Sequence, residues 1–231
     1  MINNPDQYNQ IETSELAQLI HQAALGPHLS EEALSQICNA TKHFDFSGLC
    51  TNLIRLEKAK IFMGAKHQAK LIAVIAFPFG NIPGDLKKQE AEWAANQGAN
   101  ELDVVPNFFA LQQGEANKFA EELAEICEIG LPVRAILDSN YLSKEKLSLA
   151  ISASIDAGVS GVISGNGFGQ PISKEIIKEM SKLVKGQCEL KAVGGIKTLS
   201  HATEVLQAGA TQIGTSFGME LMQEIRRGHK D

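Results

Sequence analysis

Two charged residues stand inside otherwise apolar runs of this chain: Asp103 within 102–105 and Lys191 within 190–193. A charge in a buried strand is costly unless it is paired. Asp103 and Lys191 therefore read as a structural ion pair filling an interior, as an acid/base pair, or as an amine nucleophile beside a carboxylate. Three later apolar runs end in glycine-rich turns: Ser164-Gly165-Asn166-Gly167-Phe168-Gly169, Gly194-Gly195 and Gly214-Thr215-Ser216. Glycine lets backbone N–H groups approach an anion closely, so three such turns on successive strands point to a phosphate site. Each turn taken singly is ordinary loop geometry. Arg134 lies in the run that ends at Asp138 and reads as an anion contact or a partner for Asp103. His21 and His28 flank the end of the first strand, whereas His43, His67, His201 and His229 read as surface residues.

These residues need elements to position them. Short apolar runs predict strands at Ala23–Leu25, Phe46–Thr51, Leu71–Phe77, Glu101–Val105, Val133–Asp138, Gly161–Ser164, Glu189–Val193 and Gln212–Ser216. Between them, amphipathic stretches predict helices at Ser30–Lys42, Asp85–Gln97, Glu115–Ile129, Ser143–Ala157, Ser173–Val184 and Ser200–Ala208. Ser30 is the expected N-cap of the first, with Glu31 and Glu32 in its positive first turn. Gly130, Gly158, Gly186 and Gly209 are the expected stops. Trp93 is expected to pack its helix on the barrel, and the tail Arg226-Arg227-Gly228-His229-Lys230 to be a frayed helix end. The strand spacing, roughly 25–30 residues, is that of a βα unit. Eight such units predict an α/β chain folded as a closed (β/α)8 barrel, one domain over residues 1–231. An open doubly wound sheet is disfavoured, because no G-x-G-x-x-G follows the first strong strand. In a barrel, strand C-terminal ends carry the site, which is where these residues fall.

Composition bounds the partners. The chain has 231 residues, 44% of them apolar and 21% charged, which is ordinary globular usage and excludes a disordered tail or a coiled-coil rod. With 21 Lys and Arg against 27 Asp and Glu the formal charge is −6, which argues against nucleic acid and anionic membrane as partners. Residues 1–10 show no basic segment followed by an apolar one, so no secretory signal is expected. Cys38, Cys50, Cys127 and Cys188 are scattered with no C-x-x-C spacing, which predicts reduced thiols in the cytoplasm, no metal site and no cofactor. A homo-oligomer is compatible with the sequence.

The runs 98–107 (GANELDVVPN), 189–198 (ELKAVGGIKT) and 212–218 (QIGTSFG), with AFPFG at 76–80, GLCTN at 48–52 and AGVSGVISGNGFG at 157–169, resemble the deoxyribose-phosphate aldolase family. The resemblance is colinear from about Leu16 to Leu221. It implies the same (β/α)8 barrel and a metal-free class I aldol cleavage. In that reaction 2-deoxyribose 5-phosphate gives acetaldehyde and glyceraldehyde 3-phosphate through a lysine Schiff base. It implies that Asp103 is the proton-relaying aspartate and that Lys191 is the second lysine. Gly167, Gly194, Gly195, Gly214 and Ser216 match phosphate-holding positions, and Cys50 matches a cysteine near the substrate.

The chain departs from the family pattern at named positions. Ile163 stands where the Schiff-base lysine belongs, and an isoleucine forms no iminium. His21 stands at the acid that pairs with the second lysine, Asp138-Ser139 at a Glu-Thr, and Phe217 at a serine of the phosphate loop. The expected pocket is thus His21, Cys50, Ile163 and Arg134 around Asp103 and Lys191, facing a small phosphorylated sugar or aldehyde. Three functions fit: an aldolase with Lys191 as the relocated amine, a non-catalytic sugar-phosphate-binding or regulatory protein, or a non-covalent acid/base enzyme.

Overall fold

The computed structural model describes residues 13–228. Eight strands, β1 (Ile20–Ala24), β2 (Gly48–Thr51), β3 (Lys70–Ile75), β4 (Glu101–Val104), β5 (Val133–Ile136), β6 (Gly161–Ile163), β7 (Glu189–Val193) and β8 (Gln212–Thr215), pair in sequence order. All pairings are parallel, and β1 closes on β8 with His21 opposite Gly214. Around them run α1 (Thr13–Ala17), α2 (Glu31–His43), α3 (Leu53–Met63), α4 (Gly84–Gln97), α5 (Phe108–Gln112), α6 (Ala116–Cys127), α7 (Lys144–Asp156), α8 (Lys174–Val184), α9 (Leu199–Gln207) and α10 (Gly218–Gly228). This is the expected (β/α)8 barrel.

Strand side chains alternate between two environments. Outward residues such as Leu49, Leu102, Ala135, Leu190 and Ile213 join the inner faces of the helices in one large apolar layer. Inward residues include Cys50, Ile72 and Val74 on one side and Ile136 and Ile163, with Val105, on the other. Serine side chains start three of the helices. Ser30, Ser143 and Ser173 accept from the N–H groups of Ala33, Lys146 and Ile176, satisfying donors that the helix cannot pair itself.

Several expectations need correction. β1 starts at Ile20, three residues early, because polar His21 and Gln22 belong to the buried strand and interrupt its apolar run. α1, α3, α5 and all of α10 before its C-terminal end were not expected, although α3 buries Leu56, Ala59 and Met63 at helical spacing. α10 is regular to Gly228, with Leu221, Met222 and Ile225 buried and Arg226 over the Phe44 ring at 5.0 Å, so Arg226 and Arg227 do not fray. His229 and Lys230 lie outside the described residues, as does the segment 1–10, where no secretory signal was expected. Trp93 is 43% exposed and points away from the barrel. α8 ends on two successive positive-φ residues, Lys185 at 51° and the expected Gly186 at 72°.

One buried ion pair holds the end of β4. The Lys87 Nζ, fully buried on α4, donates to the Val105 carbonyl at 3.0 Å and to Glu122 Oε1 of α6 at 2.7 Å. Removing the lysine strands a mostly buried carboxylate and a carbonyl. Lys87→Met is expected to lower unfolding free energy by about 3 kcal/mol, read as a drop in the urea midpoint at unchanged m-value.

Candidate functional site

At the C-terminal mouth of the barrel lies a cavity of about 460 Å³. Its floor is a chain of charges. Lys191 Nζ donates to Asp103 Oδ2 at 2.7 Å, and Arg134 Nε donates to Asp103 Oδ1 at 2.8 Å. Behind Asp103, Arg134 also pairs with Glu101 at 2.7 Å and lies 3.6 Å from Glu189. Asp103, Lys191 and Arg134 are each at most 2% exposed. Burial alone would raise the Asp103 pKa, but the Arg134 and Lys191 cations outweigh it and hold the carboxyl well below its usual range.

Inward glycines make room for these long side chains. A Cβ on Gly161, the β6 residue opposite Arg134, would lie 3.0 Å from Arg134 Cγ. One on Gly214 would lie 2.9 Å from Lys191 Cε and 2.6 Å from a Val193 methyl. One on Gly48 would lie 3.0 Å from His21 Cδ2. Gly214, expected among the phosphate contacts, lies in β8 and lines the cavity, and its missing side chain also leaves room for Lys191.

The expected pocket residues come together with one exception. Cys50 places its thiol 3.7 Å from Asp103 Oδ2, and burial pushes it up to about 12. Ile163 lines the cavity directly opposite Lys191 in the β6–β7 register. His21 also lines it. Its Nδ1 is sealed from solvent without a partner, and burial, then Lys191 and Arg134, push its pKa well below the usual value. Arg134 is the exception: it lies under Asp103 and is no part of the cavity wall. His28 sits on an exposed turn and is not among the residues lining the cavity, and His201 is bonded through Nε2 to the Ile172 carbonyl at 2.8 Å.

The rim is built from the three glycine turns, and Gly167, Gly194, Gly195 and Ser216 all line the cavity. None of their four backbone N–H groups is bonded within the described residues. Gly167, Gly194 and Gly195 have φ of 83°, 132° and 63°, which glycine adopts without strain. Side chains lock the turns to one another. Ser164 Oγ bonds both the N–H and the C=O of Val193. Thr215 Oγ1 donates to Ile196 O at 2.6 Å and accepts from Phe217 N. The Gln22 carboxamide spans the β8–α10 turn, donating to Ser216 O and accepting from Gly218 N. Ser139, half of the Asp138-Ser139 pair, donates to Ser164 O at 2.7 Å.

Some residues of the site were not anticipated. Glu101, the second acceptor for Arg134, was signalled by parity alone, two residues before Asp103 on the same strand face. Leu29 and Ile37 wall the cavity from α2 and the loop before it, and no sequence pattern marks them.

Comparison with known proteins follows this geometry. Curated deoxyribose-phosphate aldolases match along nearly the whole chain. That of Picosynechococcus sp. is 33% identical over 213 residues, 91% of this chain and 92% of the relative. That of Thermococcus kodakarensis is 33% identical over 215 residues, 90% and 96%. A solved aldolase superposes with a TM-score of 0.88 at 30% identity, covering 94% of this chain and 98% of that one. The tetrameric deoxyribose phosphate aldolase of Aeropyrum pernix gives 0.84 at 25% identity, covering 98% of both. The dihydroorotate dehydrogenase family model matches residues 106–231, the part of the barrel holding β5 to β8 and all three glycine turns. Among the described residues, no helix is long and apolar enough to cross a membrane.

His21 gives the site a pH signature. Its proton affinity is lower folded than unfolded, so the unfolded chain binds more protons as pH falls through the usual histidine range, about 6.5, and stability falls with it. Urea midpoints between pH 8 and 5 should show this decline, and His21→Phe should flatten it.

Proposed function

The chain belongs to the deoxyribose-phosphate aldolase family, and from that footing we propose that it binds a small phosphorylated sugar or aldehyde without forming the family's lysine imine. Its second, C-terminal part is also described by the dihydroorotate dehydrogenase model, consistent with a phosphate-type rim on a common half-barrel. The observation that carries the reading is the 2.7 Å ion pair between Lys191 and Asp103, facing the aliphatic Ile163.

Imine formation needs a neutral amine lone pair aimed at a carbonyl. Ile163 has none. Lys191 is held as a hydrogen-bond donor on the Asp103 carboxylate at 2.7 Å, so its nitrogen is engaged there rather than aimed at a carbonyl. Acid/base turnover through Asp103 is disfavoured on the same ground: a carboxylate stabilised by two cations is a weak base, and unprotonated it is no acid. Binding remains well supported, by a rim of unbonded N–H groups above a partly apolar cavity.

A second reading has its own support. Lys191 reaches the cavity, and the Ile163 side chain beside it excludes water, so Lys191 is the amine that a relocated class I aldolase would use. We further propose a single domain over residues 1–231 and, by analogy with the Aeropyrum pernix tetramer, a homo-oligomer. The four free cysteines fit a reducing, cytoplasmic setting.

Borohydride reduction in the presence of acetaldehyde or deoxyribose 5-phosphate, read by mass spectrometry, separates the readings. Wild type is expected to trap no adduct, while glyceraldehyde 3-phosphate still binds in competition with inorganic phosphate. Ile163→Lys, which sets an amine beside Lys191, is expected to gain trapping. An adduct on wild-type Lys191, lost in Lys191→Met, would replace the binding reading with the relocated amine.

A further inference from the structure

The cavity floor has more hydrogen-bond donors than acceptors. An ammonium carries three N–H groups. Lys191 uses one on Asp103 and bonds nothing else, leaving two open. His21 is 2% exposed, lines the cavity, and makes no hydrogen bond through either ring nitrogen. A neutral imidazole has one N–H and one lone pair. A sealed, unpaired N–H is rarer in proteins than an under-satisfied acceptor. Nδ1 is the sealed atom, so the proton belongs on Nε2, which faces the cavity as a third open donor. Asp103 is nearly saturated, with Arg134 on one oxygen and Lys191 and the Cys50 thiol on the other.

Three open donors close together call for a terminus richer in lone pairs than a carbonyl or a hydroxyl. A carboxylate offers about four acceptor sites where a carbonyl offers two. Above the floor, Ile136, Ile163 and Val74 line the wall with hydrocarbon, suited to the short carbon chain between two polar ends. Lys191 precedes Gly194 by three residues, about 10 Å of strand, part of which the lysine side chain itself covers. That leaves room for a few carbons between floor and rim.

We infer that, among small phosphorylated compounds, the cavity holds a three- or four-carbon acid more tightly than the corresponding sugar, aldehyde or alcohol, with its phosphate at the rim and its carboxylate on Lys191 and His21. This rests on the phosphate reading of the rim. The charges facing His21 are already balanced: Lys191 of β7 by Asp103 of β4, and Arg134 of β5 by Glu101. Cys50 of β2, the remaining titratable neighbour, stays a neutral thiol at neutral pH. An incoming carboxylate is therefore uncompensated and draws a proton onto His21, reversing the influences that keep the free imidazole neutral. Binding takes up a proton and strengthens as pH falls.

Titration calorimetry with 3-phosphoglycerate, glyceraldehyde 3-phosphate and glycerol 3-phosphate, each in two buffers of different ionisation heat, tests this. The acid is expected to bind about tenfold tighter than glycerol 3-phosphate, with net proton uptake. His21→Phe should erase both the preference and the uptake. His21→Gln, which keeps a donor but cannot titrate, should keep part of the preference and lose the uptake. Melting curves establish that both variants fold. Equal affinity for the three phosphates, without proton uptake by wild type, overturns the inference and leaves the phosphate pocket standing. Failure of all three to bind removes both.

Discussion

Everything at the mouth of this barrel depends on seating Arg134, Asp103 and Lys191 in a space that eight strands leave only just wide enough for side chains. Each of these charges is too expensive to bury alone. Together they form one chain, from Glu101 through Arg134 and Asp103 to Lys191, in which each group has an opposite neighbour. The volume comes from Gly161, Gly214 and Gly48, each facing inward where a methyl group would strike a polar side chain. The same arrangement ties Lys191 to the Asp103 carboxylate at 2.7 Å, beside the aliphatic Ile163.

Above this floor the rim is assembled in advance. Ser164 joins the ends of β6 and β7, Thr215 joins the turns after β7 and β8, and Gln22 joins β1 to the turn before α10. Every bond uses a side chain to satisfy one turn's backbone from another strand. The N–H groups of Gly167, Gly194, Gly195 and Ser216 are left unbonded, fixed in place by neighbours that are bonded. Such preorganisation is what makes backbone donors effective toward an anion, because little ordering remains for the ligand to impose.

The sequence was most legible where period and cost agree. Asp103 and Lys191 were expected inward because a charge in an apolar strand has to be paired, and they pair with each other. The helix start at Ser30 followed from cap chemistry, and Ser143 and Ser173, expected first residues of their helices, cap in the same way. Legibility failed where tertiary context overrides local pattern. β1 was placed late because His21 and Gln22 look unlike strand residues until the cavity and the β8 turn supply their surroundings. That Gly214 also makes room for Lys191 was not legible, because sequence does not show where a glycine is needed for its emptiness. Leu29 and Ile37 reach the cavity from α2 and the loop before it, which only the closed barrel brings there.

The Gln22 clamp also bears on how the molecule forms. Its two hydrogen bonds link residues 194 and 196 positions apart, across the β1–β8 seam where the barrel closes. The cavity draws on both sides of that seam, from Ala23 and Leu25 to Thr215 and Phe217. No chain emerging from the ribosome can possess this pocket until β8 is in place. Contacts of such long range are entropically the most demanding to make and fall late in assembly. The binding site is therefore among the last parts of the molecule to exist, and a bound ligand acts as a fastener on the closing seam.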